Sequence, residues 1–174
     1  MSPILIIFFA VVLRLIPHAP NVAPIAAMAL FGGVYLDRKY ALIVPLAAMF
    51  ISDIFLGFHD TMLFVYGSFL ITGLIGLWLR QHKSYRNIFI ASIGSSILFF
   101  LVTNFGVWLM GTMYDKTLTG LWEAYLMGLP FFRNTLLGDL GYVVLFFGSY
   151  ELVLAFISNR KSQTSKLHLK SKNL

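Results

Sequence analysis

Apolar residues in this chain come in long unbroken runs, and short polar interruptions divide them into six segments: 3–16, 22–36, 40–58, 61–79, 87–110 and 134–157. The runs do not alternate with period two, so the pattern predicts helices and argues against a membrane barrel. A helix needs about 20 residues to cross the hydrocarbon core of a bilayer, with a range near 17–25. The last four segments reach or approach that length. The first two are short and are expected to tilt, to be partly re-entrant, or to borrow loop residues. The fold class this predicts is an all-α membrane protein, a bundle of six transmembrane helices with short first and second segments. Residues 1–158 are expected to form a single transmembrane helical domain. Residues 159–174 are expected to form a basic, disordered cytoplasmic tail.

Composition supports the bilayer reading. The chain has 174 residues, 59% of them apolar and 11% charged, where a soluble domain carries about 25% charge. Seventeen Phe and eight Tyr suit a lipid-facing exterior and an interfacial belt. The absence of Cys excludes disulfides, thiol catalysis and thiolate metal sites. Met1 to Ile16 is apolar, but no Lys or Arg precedes the run and no small-residue cleavage site follows it. It is therefore expected to be a retained segment and not a signal peptide.

Charge sets an orientation. Arg38 and Lys39 lie between segments two and three, and Arg80, Lys83 and Arg86 between four and five. Arg160, Lys161, Lys166, Lys170 and Lys172 lie in the tail. The connections on the other side carry Lys116 and Arg133 alone. The positive-inside rule then puts both termini in the cytoplasm and agrees with six crossings. The net charge of +6 collects in the tail, which fits an anionic lipid surface better than nucleic acid.

That topology gathers the polar residues in the outer half. Arg14 lies near the outer end of segment one and Asp53 near that of segment three. Asn104 sits in TNFGVW of segment five, and Arg133, Asn134 and Asp139 open segment six within PFFRNTLLGDLGY. Asn21 and His18 belong to the first outer loop, His59 and Asp60 to the second. Glu151 is the exception, towards the cytoplasm. An intramembrane carboxylate costs roughly 2.5–3.5 kcal/mol at a helix centre, so it faces protein or water and marks a functional site by default. On a helix Thr135, Asp139 and Tyr142 share one face. A proton or ion wire would need polar groups through the full thickness, whereas the inner half reads as apolar and closed. The expected site is an outward-facing pocket lined by Asn21, Asp53, Asn104, Asn134 and Asp139, with Arg14 or Arg133 as counter-charge. The bland reading is that Asp53 and Asp139 pair with these arginines to hold helices together.

Other motifs add little chemistry. His18 and His59 lack the spacing of a zinc site such as HExxH, and no cofactor or metal is expected. GxxxxGK[ST] is absent, so ATP is not bound in that way. Trp108, Trp122, Tyr114 and Tyr125 read as interfacial aromatics or as a lid over a planar solute. Ala23, Ala27, Gly32 and Gly33 in segment two provide small faces for close helix approach, as do Ser68, Gly73 and Gly76 in segment four and Ala91 and Ser95 in segment five. Such faces serve packing within the chain or docking to a partner membrane protein.

Four stretches, PHAPNVAPIAAMALFGGVYL, SDIFLGFHD, LFFLVTNFGVW and GLPFFRNTLLGDLGY, resemble an uncharacterised family of small prokaryotic membrane proteins that carry the label of transporters. The similarity runs through most of residues 14–142 and implies the cytoplasmic (inner) membrane of a prokaryote. More distantly, the length, six segments and cytoplasmic termini resemble the substrate-binding S components of energy-coupling-factor vitamin transporters. That resemblance implies a vitamin-like solute in a pocket near the outer face. It also implies docking to a transmembrane coupling subunit that works with two ATPases. In those proteins an Ala-xxx-Ala pair on the first helix carries the docking; here the comparable Ala23 and Ala27 fall in segment two. The function expected is non-enzymatic capture of a small extracellular solute. The alternatives are a membrane enzyme with Asp53 and Asp139 as paired carboxylates, and a structural subunit without ligand. A cobalamin-like solute would find His or Met, but no Cys, for its cobalt.

Overall fold

The structure, a computed structural model, describes residues 2–16 and 21–172. The chain folds as six helices: α1 (Pro3–Leu15), α2 (Ile25–Tyr35), α3 (Ile43–Leu56), α4 (Met62–Leu79), α5 (Tyr85–Met110) and α6 (Leu118–Lys172). There is no strand among the described residues. Three stretches are long and apolar enough to cross a membrane: Met62–Leu79, Tyr85–Met110 and Leu118–Lys161. The other three helices have 13, 11 and 14 residues, below the length of a full span. The six expected helices are present, the first two short as expected, and three of the six are long and apolar enough to span.

The shortest helix, α2, has a packing reason. α2 is the hub of the bundle, and every residue from Ile25 to Val34 is buried. A helix enclosed by protein on all sides need not match the thickness of a bilayer. Its closest neighbour is α4, where a Cβ on Gly33 would lie 2.6 Å from the Gly76 Cα, and one on Gly76 would lie 2.7 Å from the Leu30 carbonyl oxygen. Only hydrogen fits at both positions, so the two backbones touch. Arg80 then donates from Nε to the carbonyls of Gly33 (3.2 Å) and Val34 (3.1 Å), closing the C-terminal end of α2. The small faces of segments two and four therefore serve packing within this chain. Ala27 is wholly buried and offers no surface to a partner.

Local chemistry sets the boundaries. Ser84 caps α5 by accepting from the Asn87 backbone N–H at 3.1 Å, which brings Tyr85 and Arg86 into the first turn. Asp37 accepts from the N–H groups of Tyr40 (2.8 Å) and Ala41 (2.9 Å), so a turn occupies the start of the run 40–58. Gly57 ends α3 with φ +95° while its N–H bonds to the Asp53 carbonyl at 2.8 Å, a conformation suited to glycine.

One expectation about the C-terminal third is corrected. Residues 118–133, read as part of a long loop, form the first turns of α6. Glu123, Pro130 and Arg133 interrupt the apolar pattern there, but the tertiary contacts described below hold the segment helical. Pro130 lacks an N–H for the Leu126 carbonyl and is accommodated inside the helix. The basic segment beyond 158 is helical through Lys172. It contains neither Gly nor Pro, so a helix already nucleated in the bundle can propagate through it. At 55 residues, α6 is roughly 80 Å long.

Candidate functional site

A cavity of about 580 Å³ lies at one end of the bundle, where the three short helices stop. Arg14 from the last turn of α1, Ile25 and Ala26 from the start of α2, and Leu56 from the end of α3 face it. The long helices form its walls, α4 with Val65 and Phe69, α5 with Phe99 and Asn104, and α6 with Gly128 and Asp139. Asn21, His59, Met113 and Tyr114, from the three connections at this end, form the rim. The volume falls within the roughly 300–1,000 Å³ typical of small-molecule pockets, and the walls are mostly apolar with a few convergent polar groups.

Arg14 is held from behind. Its Nη2 donates to the Asp53 carboxylate at 2.5 Å, and its Nη1 donates to the Met49 carbonyl at 2.9 Å and to the Ser52 hydroxyl. Tyr66 of α4 donates its hydroxyl to the other Asp53 oxygen at 2.6 Å. Asp53 is thus consumed by a knot joining α1, α3 and α4, and it does not line the cavity. Its pairing with Arg14 matches the bland reading of that aspartate. A carboxylate with a guanidinium, a phenol and low exposure is stabilised on both sides of the charge.

Asp139 is placed differently. It is 3% exposed, lines the cavity, and accepts a hydrogen bond from the Ser96 hydroxyl of α5 at 2.7 Å. It makes no ion pair among the described residues. Arg133 does not reach it, because six residues turn a helix through about 240°, and Arg133 points outward and is exposed. Asn134 is also off the cavity face; like Arg133, it is not among the lining residues. Tyr142 packs against Phe146, ring centroids 5.9 Å apart, and does not line the cavity either.

Asn104 donates to the Phe100 carbonyl at 2.8 Å, and its amide lies against Gly128, where a Cβ would collide with it. The α6 extension makes this wall. Tyr125 donates to the Leu101 carbonyl at 3.0 Å, and Phe100 packs against Tyr125 and Phe132. Asn21 adopts φ +63°, a left-handed turn conformation that asparagine tolerates. His59 bonds Thr61 at 2.9 Å. His18 lies outside the described residues. Of the predicted site residues, the structure therefore gathers Arg14, Asn21, Asn104 and Asp139 at one cavity. It leaves Asp53 one layer behind it and Arg133 and Asn134 away from it. The missed residues Ala124, Gly128 and Phe131 continue the Thr135–Asp139 face backwards at helical spacing. Extending that face through Pro130 would have found them.

The rim aromatics divide. Tyr114 faces the cavity, whereas Trp108 donates to the Asp115 carbonyl at 2.9 Å and Trp122 is exposed. Below the cavity the buried polar groups are small. Ser68 and Thr72 donate to carbonyls one turn back on their own helices, while the hydroxyls of Ser92 and Ser95 have no partner among the described residues. At the far end, Glu151 accepts from Lys83 at 2.5 Å and from Tyr35. An apolar groove of about 410 Å³ between α5 and α6 opens beside that pair. No group of three or more His, Asp or Glu residues suited to a metal occurs among the described residues.

No curated protein and no solved structure matches the chain. One family does match, described as a family of unknown function (DUF6580), over residues 1–164. With nearly the whole sequence covered, the chain belongs to that family of unknown function, DUF6580.

Proposed function

We propose that this protein is a solute-binding component of a membrane transport system, holding a small molecule in the cavity between α1–α3 and the longer α4–α6. The observation that carries the proposal is convergence. Arg14, Asn21, Asn104 and Asp139 come from four different segments of the chain and meet at one cavity of about 580 Å³. A purely structural bundle has no use for a wide cavity with polar groups aimed into it. The paired-carboxylate enzyme is less well supported, since Asp53 is bound by Arg14 and Tyr66 and does not line the cavity.

Orientation follows from charge. Arg38, Lys39, Lys83 and Arg86 lie in or beside the connections at the end opposite the cavity. The positive-inside rule puts that end in the cytoplasm and the cavity mouth outside. On this reading the chain crosses the cytoplasmic membrane of a prokaryote six times, with α2 sheltered by its neighbours. The solute is vitamin-like in size. Energy for its movement comes from a partner, such as a coupling subunit with ATPases, since no nucleotide motif is present. Native mass spectrometry of the detergent-solubilised protein tests the proposal. A bound small molecule is expected, and Asn104→Ala should lower its occupancy roughly three- to tenfold, the equivalent of one hydrogen bond. Wild-type protein that is always empty, with transport unchanged in the variant, would overturn it.

A further inference from the structure

The charges around the cavity do not balance. Among the described residues, the ionisable side chains lining it are Arg14, His59, Tyr114 and Asp139. The Arg14 guanidinium is already matched by Asp53 at 2.5 Å, and its Nη1 donates to Ser52 and the Met49 carbonyl. His59 is exposed at the rim. Asp139 sits deep, 3% exposed, with a neutral hydroxyl from Ser96 as its hydrogen-bond donor. Burying a carboxylate without a cation is costly, and a cation brought to it in a low-dielectric site recovers much of that cost. Among the described residues, the cavity holds an anion without a cation paired to it.

Aromatic rings line the same cavity as that carboxylate. Phe69 and Phe99 stack on each other with centroids 5.2 Å apart, and both face the cavity, as do Phe131 and Tyr114. Ring faces attract positive charge and also cover apolar carbon. A bare metal ion would need several oxygen ligands closed tightly around it, whereas this space is wide and mostly apolar. An organic cation uses both features. Its charged nitrogen would meet Asp139 while its body lies on the phenyl rings.

We infer that the solute is a small organic cation, an amine or a charged nitrogen heterocycle with an apolar or aromatic body, whose positive group pairs with Asp139 on the cavity floor. This rests on the solute-binding reading above and specifies its substrate class. Arg14, with its charge cancelled, serves as a positioning residue for that end of α1.

The test uses matched probes that differ in charge. Tryptamine, tryptophol and indole-3-acetate form one set; phenethylamine, phenethyl alcohol and phenylacetate form another. Binding is measured by calorimetry and by thermal unfolding of the full-length protein in detergent. The two amines should bind about tenfold or more tightly than their neutral and anionic partners. That preference should vanish in Asp139→Asn, which keeps the shape and the Ser96 contact, and persist in part in Asp139→Glu. Equal binding of alcohols or acids, or a preference that survives Asp139→Asn, would overturn the cation assignment and leave the pocket reading standing. So would replacement of potassium by sodium at constant ionic strength giving the whole stabilisation. Failure of every probe, whatever its charge, together with an empty purified protein, would overturn both.

Discussion

Arg14 and Asp53 face each other across α1 and α3 at 2.5 Å, with side-chain exposures of 11% and 4%, and this pair separates the two buried aspartates into different roles. Asp53 is half of a closed knot, and Asp139 is a carboxylate left open to the cavity. The distinction rests on which residues lie within reach, not on residue type.

Breaking the knot from one side should be expensive. Asp53→Ala leaves the Arg14 guanidinium buried and unmatched, a change that costs about 3–5 kcal/mol in buried pairs. A double variant with Arg14→Leu should recover a large part of it. Denaturation in mixed micelles across the four members of the cycle checks this, and additive losses would contradict a direct pairing.

The Lys83–Glu151 pair gives the contrasting case. Its side chains are 38% and 35% exposed, so solvent screens the attraction and the expected contribution is about 0–1 kcal/mol. Glu151→Gln should leave thermal stability nearly unchanged in the same assay. A loss as large as that of Asp53→Ala would contradict this ranking.

The α2–α4 contact is decided by two hydrogens. Gly33→Val or Gly76→Val would drive a side chain into backbone that cannot retreat, a worse case than the about 1–3 kcal/mol of ordinary overpacking. Neither variant should give a monodisperse peak on size-exclusion chromatography. Gly94→Ala, where the space is open, should elute like the wild type.

Gly128 offers a way to alter the cavity without touching its charges. Gly128→Ala places a methyl group against the Asn104 amide, a side chain that can move aside. Stability should fall little, while occupancy by the co-purifying solute should drop roughly three- to tenfold, as expected for Asn104→Ala. Unchanged occupancy would remove Asn104 from the site.

The long apolar runs made α4 and α5 legible to within two residues at each start, because nothing inside them competes with a helix. The first turns of α6 were not legible. Lys116, Glu123, Pro130 and Arg133 broke the hydropathy signal, and what holds this stretch is its packing on Phe100, Leu101 and Asn104. That omission also obscured half of the site, since Gly128 and Phe131 belong to the face that Thr135 and Asp139 begin. The gathering of Arg14, Asn21, Asn104 and Asp139 at one end of the bundle could be read from their positions in the segments alone. Partner choice could not: Arg14 and Arg133 were equal candidates for either aspartate until helix rotation put Arg133 on the outside. The shortness of α2 likewise goes with its being enclosed, a tertiary fact invisible to a window of residues.

The account depends on a cavity that opens away from the positively charged connections. With no native Cys, single thiols can be introduced and treated with a membrane-impermeant maleimide in intact cells. Met113→Cys, at the cavity rim and 78% exposed, should react at once, while Gln81→Cys, in the exposed α4–α5 connection, should react only after permeabilisation. Labelling of Gln81→Cys in intact cells, with Met113→Cys protected until the membrane is opened, would contradict the account.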